Sequence, residues 1–421
     1  MNILNIATTD SGGAGKASVA INSILKNGGY NSKLIVRYKA TQDANIISIH
    51  SNFSDIIYRQ FLKIISKITE GNKIKEYYFF AHLNLRSFNA INILKKSGFI
   101  PDVIMLHWIA QFIDIKTIRK LYELTGVQIY WLMMDNAPLT GGCHYPWECK
   151  GFYCDCKDCP GVYYNKKGIY RYFQKKRKYL DGIVNFISFS QTDFDRLKKA
   201  AVLKHNEAFH LLGPVDENDF CPAKNRRDIK NTLGLKGEKV IFAGAIDLTE
   251  QRKGLSYLVE ALSILEEKYK IDNIILLLAS TKIDGLKINI PIKFLGYLNE
   301  SSLIKVYQAA DVFLCTSIED SGPLMINQSI SCGTPVVSFN VGVAPDLVQE
   351  DITGYRAKLK DADELAYGLY KVLTMKTDDY ETMRKNCRQL AMDKLSKEVF
   401  LRDIHTIISK KVVKCKSNDY V

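Results

Sequence analysis

Val312-Phe313-Leu314-Cys315-Thr316-Ser317-Ile318-Glu319-Asp320-Ser321-Gly322-Pro323-Leu324-Met325-Ile326-Asn327-Gln328-Ser329-Ile330-Ser331-Cys332-Gly333-Thr334-Pro335-Val336-Val337-Ser338-Phe339 carries in one run the features that decide the fold class. Four apolar residues end at Cys315, as in a strand covered on both faces. A polar loop follows. Pro323 suits the first turn of a helix, Gly333 suits its stop, and Pro335 opens a second apolar run. Strand, helix and strand joined by short connections imply a parallel sheet.

The same alternation extends in both directions. Upstream, Ile3–Ala7, Lys33–Val36, Val103–Leu106, Val127–Met133 and Ile183–Phe189 read as buried strands, with helical patterns such as Lys16–Lys26 and Lys116–Leu124 between them. A polar stretch, Asp216–Asn231, then contains Pro222. Val240–Ala243, Ile274–Leu278, Ile292–Leu295, Val312–Cys315 and Pro335–Phe339 form a second set. The expectation is an α/β protein of two doubly wound, Rossmann-like domains, 1–213 and 214–393, facing a central cleft. In such sheets ligands bind beyond the carboxyl ends of the strands. A last helical pattern, Lys394–Lys414, with the basic tail to 421, is expected to pack back on the first domain.

Composition narrows the function classes. The 421 residues are 47% apolar and 24% charged, which excludes disorder and a small disulfide scaffold. The net charge is +13, and it lies wholly in the first half. Residues 1–213 hold 29 basic and 16 acidic side chains, whereas residues 214–421 hold 29 of each. Solubility alone would account for such an excess, but so would an anionic partner. No run reaches the roughly 18 apolar residues of a membrane span. Met1-Asn2-Ile3-Leu4-Asn5 enters a strand at once, without the pattern of a signal peptide, so a cytoplasmic protein is expected.

Three loops could carry chemistry. Thr8-Thr9-Asp10-Ser11-Gly12-Gly13-Ala14-Gly15-Lys16 joins a strand to a helix. Gly12 and Gly13 would let backbone amides approach an anion or a sugar phosphate. It is not a P-loop, because Asp10 stands where the first glycine is required and Ala17 where the hydroxyl residue is. Gln251-Arg252-Lys253-Gly254 follows the first strand of the second set. Cations are disfavoured at a helix start, so Arg252 and Lys253 there suggest a bound pyrophosphate. In the opening stretch, Glu319 lies in the loop and Asn327 lies one helical turn beyond Pro323, on the same face. A tight turn, a solvated basic turn and a capped helix would produce the same three patterns without a ligand.

Together these loops resemble the family 4 retaining glycosyltransferases of the GT-B fold, over almost the whole chain. Glu319 to Val337 resembles the family's E-x7-E stretch and its S-x-x-x-G-T-P-V-V segment, present as Ser329-Ile330-Ser331-Cys332-Gly333-Thr334-Pro335-Val336-Val337. Arg252-Lys253-Gly254 is similar to its R-K-G loop, and Gly12-Gly13 to its N-terminal loop. The resemblance implies an acceptor-binding first domain and a nucleotide-sugar donor domain second. Gly12, Gly13, Arg252, Lys253, Glu319, Gly322, Pro323, Leu324 and Asn327 would bind the donor. Arg252 and Lys253 would hold the pyrophosphate and Glu319 the donor sugar. At the ribose-binding position stands Asn327, where the family has Glu; an amide accepts a hydrogen bond but brings no charge.

Trp131-Leu132-Met133-Met134-Asp135-Asn136-Ala137-Pro138-Leu139-Thr140-Gly141-Gly142-Cys143-His144-Tyr145 resembles the W-x-x-H-D-x-x-x-x-T-G-G-C-H-Y segment of colanic-acid-type polysaccharide glycosyltransferases. The family's active-site histidine is Met134 here, and a thioether cannot exchange a proton with a sugar hydroxyl. Asp135, His144 and His107 are the candidates for that task, the first two within the matched segment. The expected catalytic residues are Asp135, His144 and Glu319.

Five of the ten cysteines, Cys143, Cys149, Cys154, Cys156 and Cys159, fall within 17 residues, in the loop 141–161. Cys149, Cys154, Cys156 and Cys159 could hold a structural zinc; an iron–sulfur or redox role, disulfides and unliganded thiols are the alternatives. No catalytic metal is implied. In Asp55–Lys75, Ile57, Phe61, Ile64, Ile65 and Ile68 form one apolar stripe flanked by Arg59, Lys63 and Lys67, which suits an anionic membrane or the domain's own sheet. Lys175-Lys176-Arg177-Lys178 with nearby tyrosines is a weak sign of nucleic acid, and none is expected as a partner. The expected function is sugar transfer from a nucleotide-diphosphate donor to a glycan or polyprenyl-pyrophosphate-linked acceptor in cell-surface polysaccharide or lipopolysaccharide biosynthesis, by a cytoplasmic enzyme peripheral to the inner membrane face. The alternative is a catalytically degenerate binding or scaffold protein of the same fold.

Overall fold

The computed structural model describes residues 1–43, 45–49, 74–79, 88–280, 283, 285–322 and 324–409. The stripe between residues 57 and 68, with Arg59, Lys63 and Lys67, and the basic tail beyond 409 lie outside the described residues, as does Pro323. The chain divides into two compact units. Unit 1 comprises Met1–Phe189, Asp193–Leu211 and the chain from Leu401 onward; unit 2 comprises Ser190–Thr192 and Leu212–Phe400. The divisions thus fall at residues 211 and 400 rather than 213 and 393.

Unit 1 holds a seven-stranded sheet. Its strands are β1 (Asn2–Thr9), β2 (Asn31–Tyr38), β3 (Ile46–Ser48), β4 (Val103–Leu106), β5 (Ile129–Met133), β6 (Val184–Ser188) and β7 (Ala208–His210), in the order β3-β2-β1-β4-β5-β6-β7. Each pairing is parallel. Leu4, Ile6, Ile104, Leu106, Ile129 and Val184 are buried in its core. The flanking helices include α1 (Gly12–Asn27), α2 (Ala90–Ser97), α3 (Ile115–Thr125), α4 (Lys166–Leu180) and α5 (Gln191–Lys199). Asn5 is a polar residue in a buried strand, and its amide is fully used. Nδ2 donates to Asn22 at 3.2 Å and to Ser32 at 2.9 Å, and Oδ1 meets His107 Nε2 at 2.9 Å.

Unit 2 holds six strands: β8 (Lys239–Gly244), β9 (Ile274–Ala279), β10 (Ile292–Phe294), β11 (Val312–Cys315), β12 (Val336–Phe339) and β13 (Gly354–Ala357), in the order β10-β9-β8-β11-β12-β13. These pairings too are parallel. Its helices include α6 (Arg226–Thr232), α7 (Leu255–Tyr269), α8 (Glu300–Ala309), α9 (Leu324–Ser331), α10 (Ala344–Leu347), α11 (Ala362–Leu373) and α12 (Thr377–Leu395). The single C-terminal helix expected from Lys394 is broken at Ser396, whose ψ is 155°, and α13 runs over Lys397–Ser409. Lys397 is tied to Asp216 at 2.8 Å within unit 2. Farther along α13, in unit 1, Ile407 O accepts from Tyr130 Oη at 3.3 Å. No helix among the described residues is long and apolar enough to cross a membrane.

Candidate functional site

Each sheet order reverses direction once, between β1 and β4 in unit 1 and between β8 and β11 in unit 2. The connections leaving such neighbouring strands run apart and open a crevice at their carboxyl ends. The motif loops leave those strands.

In unit 2, β8 leads to a 3-10 turn, Gln251–Lys253, and β11 leads to the Glu319 loop. The two are stitched together. Ile318 N–H donates to Arg252 O at 2.8 Å, and Thr316 Oγ1 donates to Lys253 O at 2.9 Å. Gly254 has φ +66°, and a Cβ there would stand 2.0 Å from Thr316 O. Only glycine permits that approach, so the R-K-G glycine has a steric reason. Lys253 Nζ meets Asp320 Oδ2 at 2.6 Å, while Arg252 meets Asp320 at 3.3 Å and Glu250 at 2.7 Å. Burial works to raise the Asp320 pKa, but the charges of Lys253 and Arg252 outweigh it and hold the carboxyl below the usual range. Asp320 was not singled out from the sequence, although it adjoins Glu319. It sets where the two cations point.

Glu319 is buried at 3% exposure beside them. Gly322 N–H donates to Asp320 Oδ1 at 3.3 Å, and α9 begins at Leu324. Asn327 donates from Nδ2 to Gly213 O at 3.0 Å, and its Oδ1 is buried and accepts no hydrogen bond from the described residues. Asn327 therefore keeps one acceptor for a hydroxyl, where a carboxylate would offer two oxygens.

In unit 1, β1 leads into the Gly12 turn. Gly12 has φ +70°, and a Cβ at Gly12 or Gly13 would meet nothing within 4 Å. The close contact is at Gly15 instead, where a Cβ would lie 2.7 Å from Thr9 O. Asp10, which breaks the P-loop pattern, braces the turn by accepting from Ala40 N–H at 2.7 Å and Thr41 N–H at 3.0 Å. Burial acts against its charge, and these donors with the Thr41 hydroxyl still hold its pKa down.

The segment after β5 brings Asp135 and His144 together. His144 Nδ1 and Asp135 Oδ2 are 2.5 Å apart, with both side chains less than a tenth exposed. Asp135 Oδ1 accepts from Ala137 N–H at 2.8 Å. Asn136 N–H donates to His144 O at 3.0 Å, closing the loop on itself. With Nδ1–H donated to the carboxylate, Nε2 of a neutral imidazole carries the lone pair, the arrangement of a carboxylate-oriented base. Both residues line a recess of about 470 Å³ with His107, Trp108, Met134 and Lys176. His107 is a poor base, because burial lowers its pKa to about 3 and its Nε2 meets Asn5 Oδ1 at 2.9 Å. Lys176 was missed as a site residue. It is 1% exposed and donates to Ala137 O and Thr140 O, each at 2.7 Å. The basic run 175–178 is thus not one solvated face: its second member supports the Asp135 loop.

The cysteine expectation needs correction. Among the described residues, no three Cys, His, Asp or Glu side chains are placed to hold a metal ion, so Cys149, Cys154, Cys156 and Cys159 do not form the expected site. Cys154 is exposed, whereas Cys143, Cys156 and Cys159 are buried. A spacing pattern counts residues between cysteines and cannot show which sulfurs face inward.

Comparison with known proteins adds to this geometry. Residues 225–390 match the family described as Glycosyl transferases group 1. The chain is 29% identical over 186 residues to the UDP-Gal:alpha-D-GlcNAc-diphosphoundecaprenol alpha-1,3-galactosyltransferase of Escherichia coli, covering 41% of this chain and 46% of that protein. It therefore spans about half the length of this relative. Among solved structures, Anabaena HepE in complex with UDP-glucose superposes with a TM-score of 0.63 at 13% identity, over 97% of this chain and 100% of that one. WaaG, a glycosyltransferase involved in lipopolysaccharide biosynthesis, superposes with a TM-score of 0.60 at 14% identity, over 97% and 99%. The fold is that of the GT-B proteins it superposes on, and residues 225–390 are similar to the group 1 glycosyl transferases.

Proposed function

We propose that the protein transfers a sugar from a nucleotide-diphosphate donor to a hydroxyl of a glycan or polyprenyl-pyrophosphate-linked acceptor. The observation that carries this reading is the stitched pair of loops in unit 2, Arg252-Lys253 and Glu319-Asp320, at the carboxyl ends of β8 and β11. The bond from the sugar's anomeric carbon to the phosphate oxygen breaks, and negative charge grows on the leaving nucleoside diphosphate. Lys253 and Arg252, aligned by Asp320, stabilise that charge without reorganising. Positive charge grows on the sugar ring, where the buried Glu319 carboxylate opposes it. The acceptor oxygen forms the new bond, and its proton passes to His144 Nε2, with Asp135 holding the imidazole. His144 thereby takes over the proton chemistry that Met134 cannot perform. Retention of the anomeric configuration belongs to the same proposal, as does binding of the nucleotide ribose through Asn327 Oδ1.

The acceptor assignment follows from charge and from the Escherichia coli relative, whose name specifies a diphosphoundecaprenol substrate. The excess of basic side chains lies in residues 1–213, and a lipid pyrophosphate at an anionic membrane would match it. The test is calorimetric titration with UDP-, GDP- and dTDP-sugars, followed by transfer to a GlcNAc-diphospholipid. One donor should bind, and Lys253→Ala should weaken it by about tenfold or more, as expected for loss of a charge-assisted contact. If no donor binds, or if Lys253→Ala binds as well as the wild type, the transferase reading fails in favour of a binding or scaffold protein. Neutralising Arg59, Lys63 and Lys67 should weaken sedimentation with anionic liposomes; unchanged sedimentation returns that charge to solubility.

A further inference from the structure

The helix α4 (Lys166–Leu180) has two faces of opposite character. Ile169, Phe173 and Leu180 are buried against the core of unit 1, and Lys176 is buried with them. Tyr172 and Lys176 line the recess that holds Asp135 and His144. The outer face is cationic. Lys167, Arg171, Lys175 and Lys178 are exposed and recur at i, i+4, i+8 and i+11, one stripe along the helix. Tyr170 stands in that stripe, and Tyr163 and Tyr164 precede the helix at 62% and 74% exposure. Residues 160–180 hold seven lysines and arginines and no acidic residue, more than half of the net charge of +13.

This face differs from an ordinary solvated one. The first turn of α4 begins with Lys166 and Lys167 and carries no acidic side chain, although a helix start disfavours cations. Among the described residues, no carboxylate pairs with Lys166, Lys167, Arg171, Lys175 or Lys178. Exposed tyrosines among lysines join apolar rings and stems to polar tips, the composition of side chains that sit at lipid headgroups. The position of the helix is also suitable. β5 and β6 are parallel, so their connection runs back along the sheet and α4 starts toward the carboxyl end of β5. The loop that carries Asp135 and His144 leaves β5 at the same end.

We propose that the outer face of α4, with Tyr163 and Tyr164, docks on an anionic lipid bilayer. The cations meet the headgroup charge, and their stems and the tyrosine rings enter the interface. The helix then rests on the membrane with one face and supports the recess with the other. This deepens the proposed function and rests on it for its purpose, since a lipid-linked acceptor would reach the recess without leaving the bilayer. The docking itself needs no sugar. A polynucleotide fits the face less well, because single-strand binders track a groove lined by aromatic rings, and this is the outward side of one helix.

The test is co-sedimentation of the full chain with vesicles of phosphatidylglycerol and phosphatidylcholine, against vesicles of phosphatidylcholine alone. Wild type should bind the first and not the second, and more weakly as salt rises. Combining Lys167→Gln, Arg171→Gln, Lys175→Gln and Lys178→Gln should weaken binding by about a hundredfold or more, at roughly fivefold for each cation near the surface. Tyr163→Ser with Tyr164→Ser should weaken it by about threefold or more. These side chains are exposed, so the denaturant midpoint and nucleotide-sugar binding should match wild type. Failure of docking therefore leaves the donor reading standing, and failure of donor binding leaves docking measurable. The proposal is overturned by wild type that ignores phosphatidylglycerol, or by a quadruple variant that binds within about twofold of wild type. Single-stranded RNA that displaces the protein from the vesicles, and whose binding the quadruple variant loses, would overturn it in favour of a polynucleotide surface.

Discussion

Replacing Asp135 by Asn tests the proposed base most directly. Asp135 uses its two oxygens differently: Oδ1 accepts from Ala137 N–H at 2.8 Å, and Oδ2 faces His144 Nδ1 at 2.5 Å. In the same rotamer, Asp135→Asn keeps the first bond and turns an NH2 group toward Nδ1. Two N–H groups cannot face each other, so the imidazole must move its proton to Nε2 or rotate. Either way Nε2 no longer presents a lone pair to the acceptor. General-base catalysis is worth about 10²–10⁴ in rate, or about 2.7–5.5 kcal/mol at roughly 1.36 kcal/mol per factor of ten. The expected result is a fall of that size in kcat, with donor affinity within about twofold of wild type. The ascending limb of the pH–rate profile should disappear; His107 cannot supply it, since its pKa lies near about 3. The assay is the initial rate of nucleoside-diphosphate release in the presence of acceptor, from pH 5 to 9. A variant with kcat within about threefold of wild type and an unaltered profile would refute the assignment of His144 as base.

Three further perturbations address close or buried contacts. Gly254→Ala would place a Cβ 2.0 Å from Thr316 O at a φ of +66°; it should lower stability by about 1–3 kcal/mol and abolish nucleotide-sugar binding. Unchanged binding by calorimetry would show that the stitched loops do not set the donor turn. Asp311 joins Arg226 and Lys230, the latter at 2.9 Å. Burial opposes its charge, and Arg226 foremost then holds its carboxyl below the usual range. Its contribution is therefore complete above the unfolded carboxylate pKa of about 3.9 and is lost as pH falls through the lower folded value. Asp311→Asn should cost about 3–5 kcal/mol in denaturant unfolding at pH 7 and should flatten the acid limb. A loss below about 1 kcal/mol would make the pair a surface contact in energetic terms. Lys176 is drawn down to about 8 by burial. Between that value and its unfolded pKa of about 10.4 the unfolded chain binds more protons, so stability rises with pH across the window. Lys176→Met should lack that rise, and equal slopes in urea titrations at pH 8 to 10 would contradict its being buried as a cation.

The legibility of this chain in its sequence follows from where a residue's neighbours come from. β4 and β11 match their expected ranges, because their burial comes from the sheet's own apolar runs. The edge strands β3, β7 and β13 were not recognised. They are three or four residues long, and their half-buried or polar side chains give no run. Arg252, Lys253 and Glu319 could be found because motif spacing encodes the loops that present them. Asp320 and Lys176 could not, since their meaning depends on a partner: Asp320 faces cations 67 and 68 residues away, and Lys176 caps carbonyls 36 and 39 residues away.

The sequence by itself determined the doubly wound architecture and the two motif loops of unit 2. Periodicity and spacing are local, and helices, strands and turns answer to them. Only the tertiary structure decided which polar groups act together. It set His144 against Asp135 and buried Lys176 beneath their loop. It turned Cys143 inward and left Cys154 exposed. A buried charge or thiol is defined by what surrounds it, and the surrounding groups come from distant parts of the chain. No count of residues along the sequence contains that information until the sheet has folded.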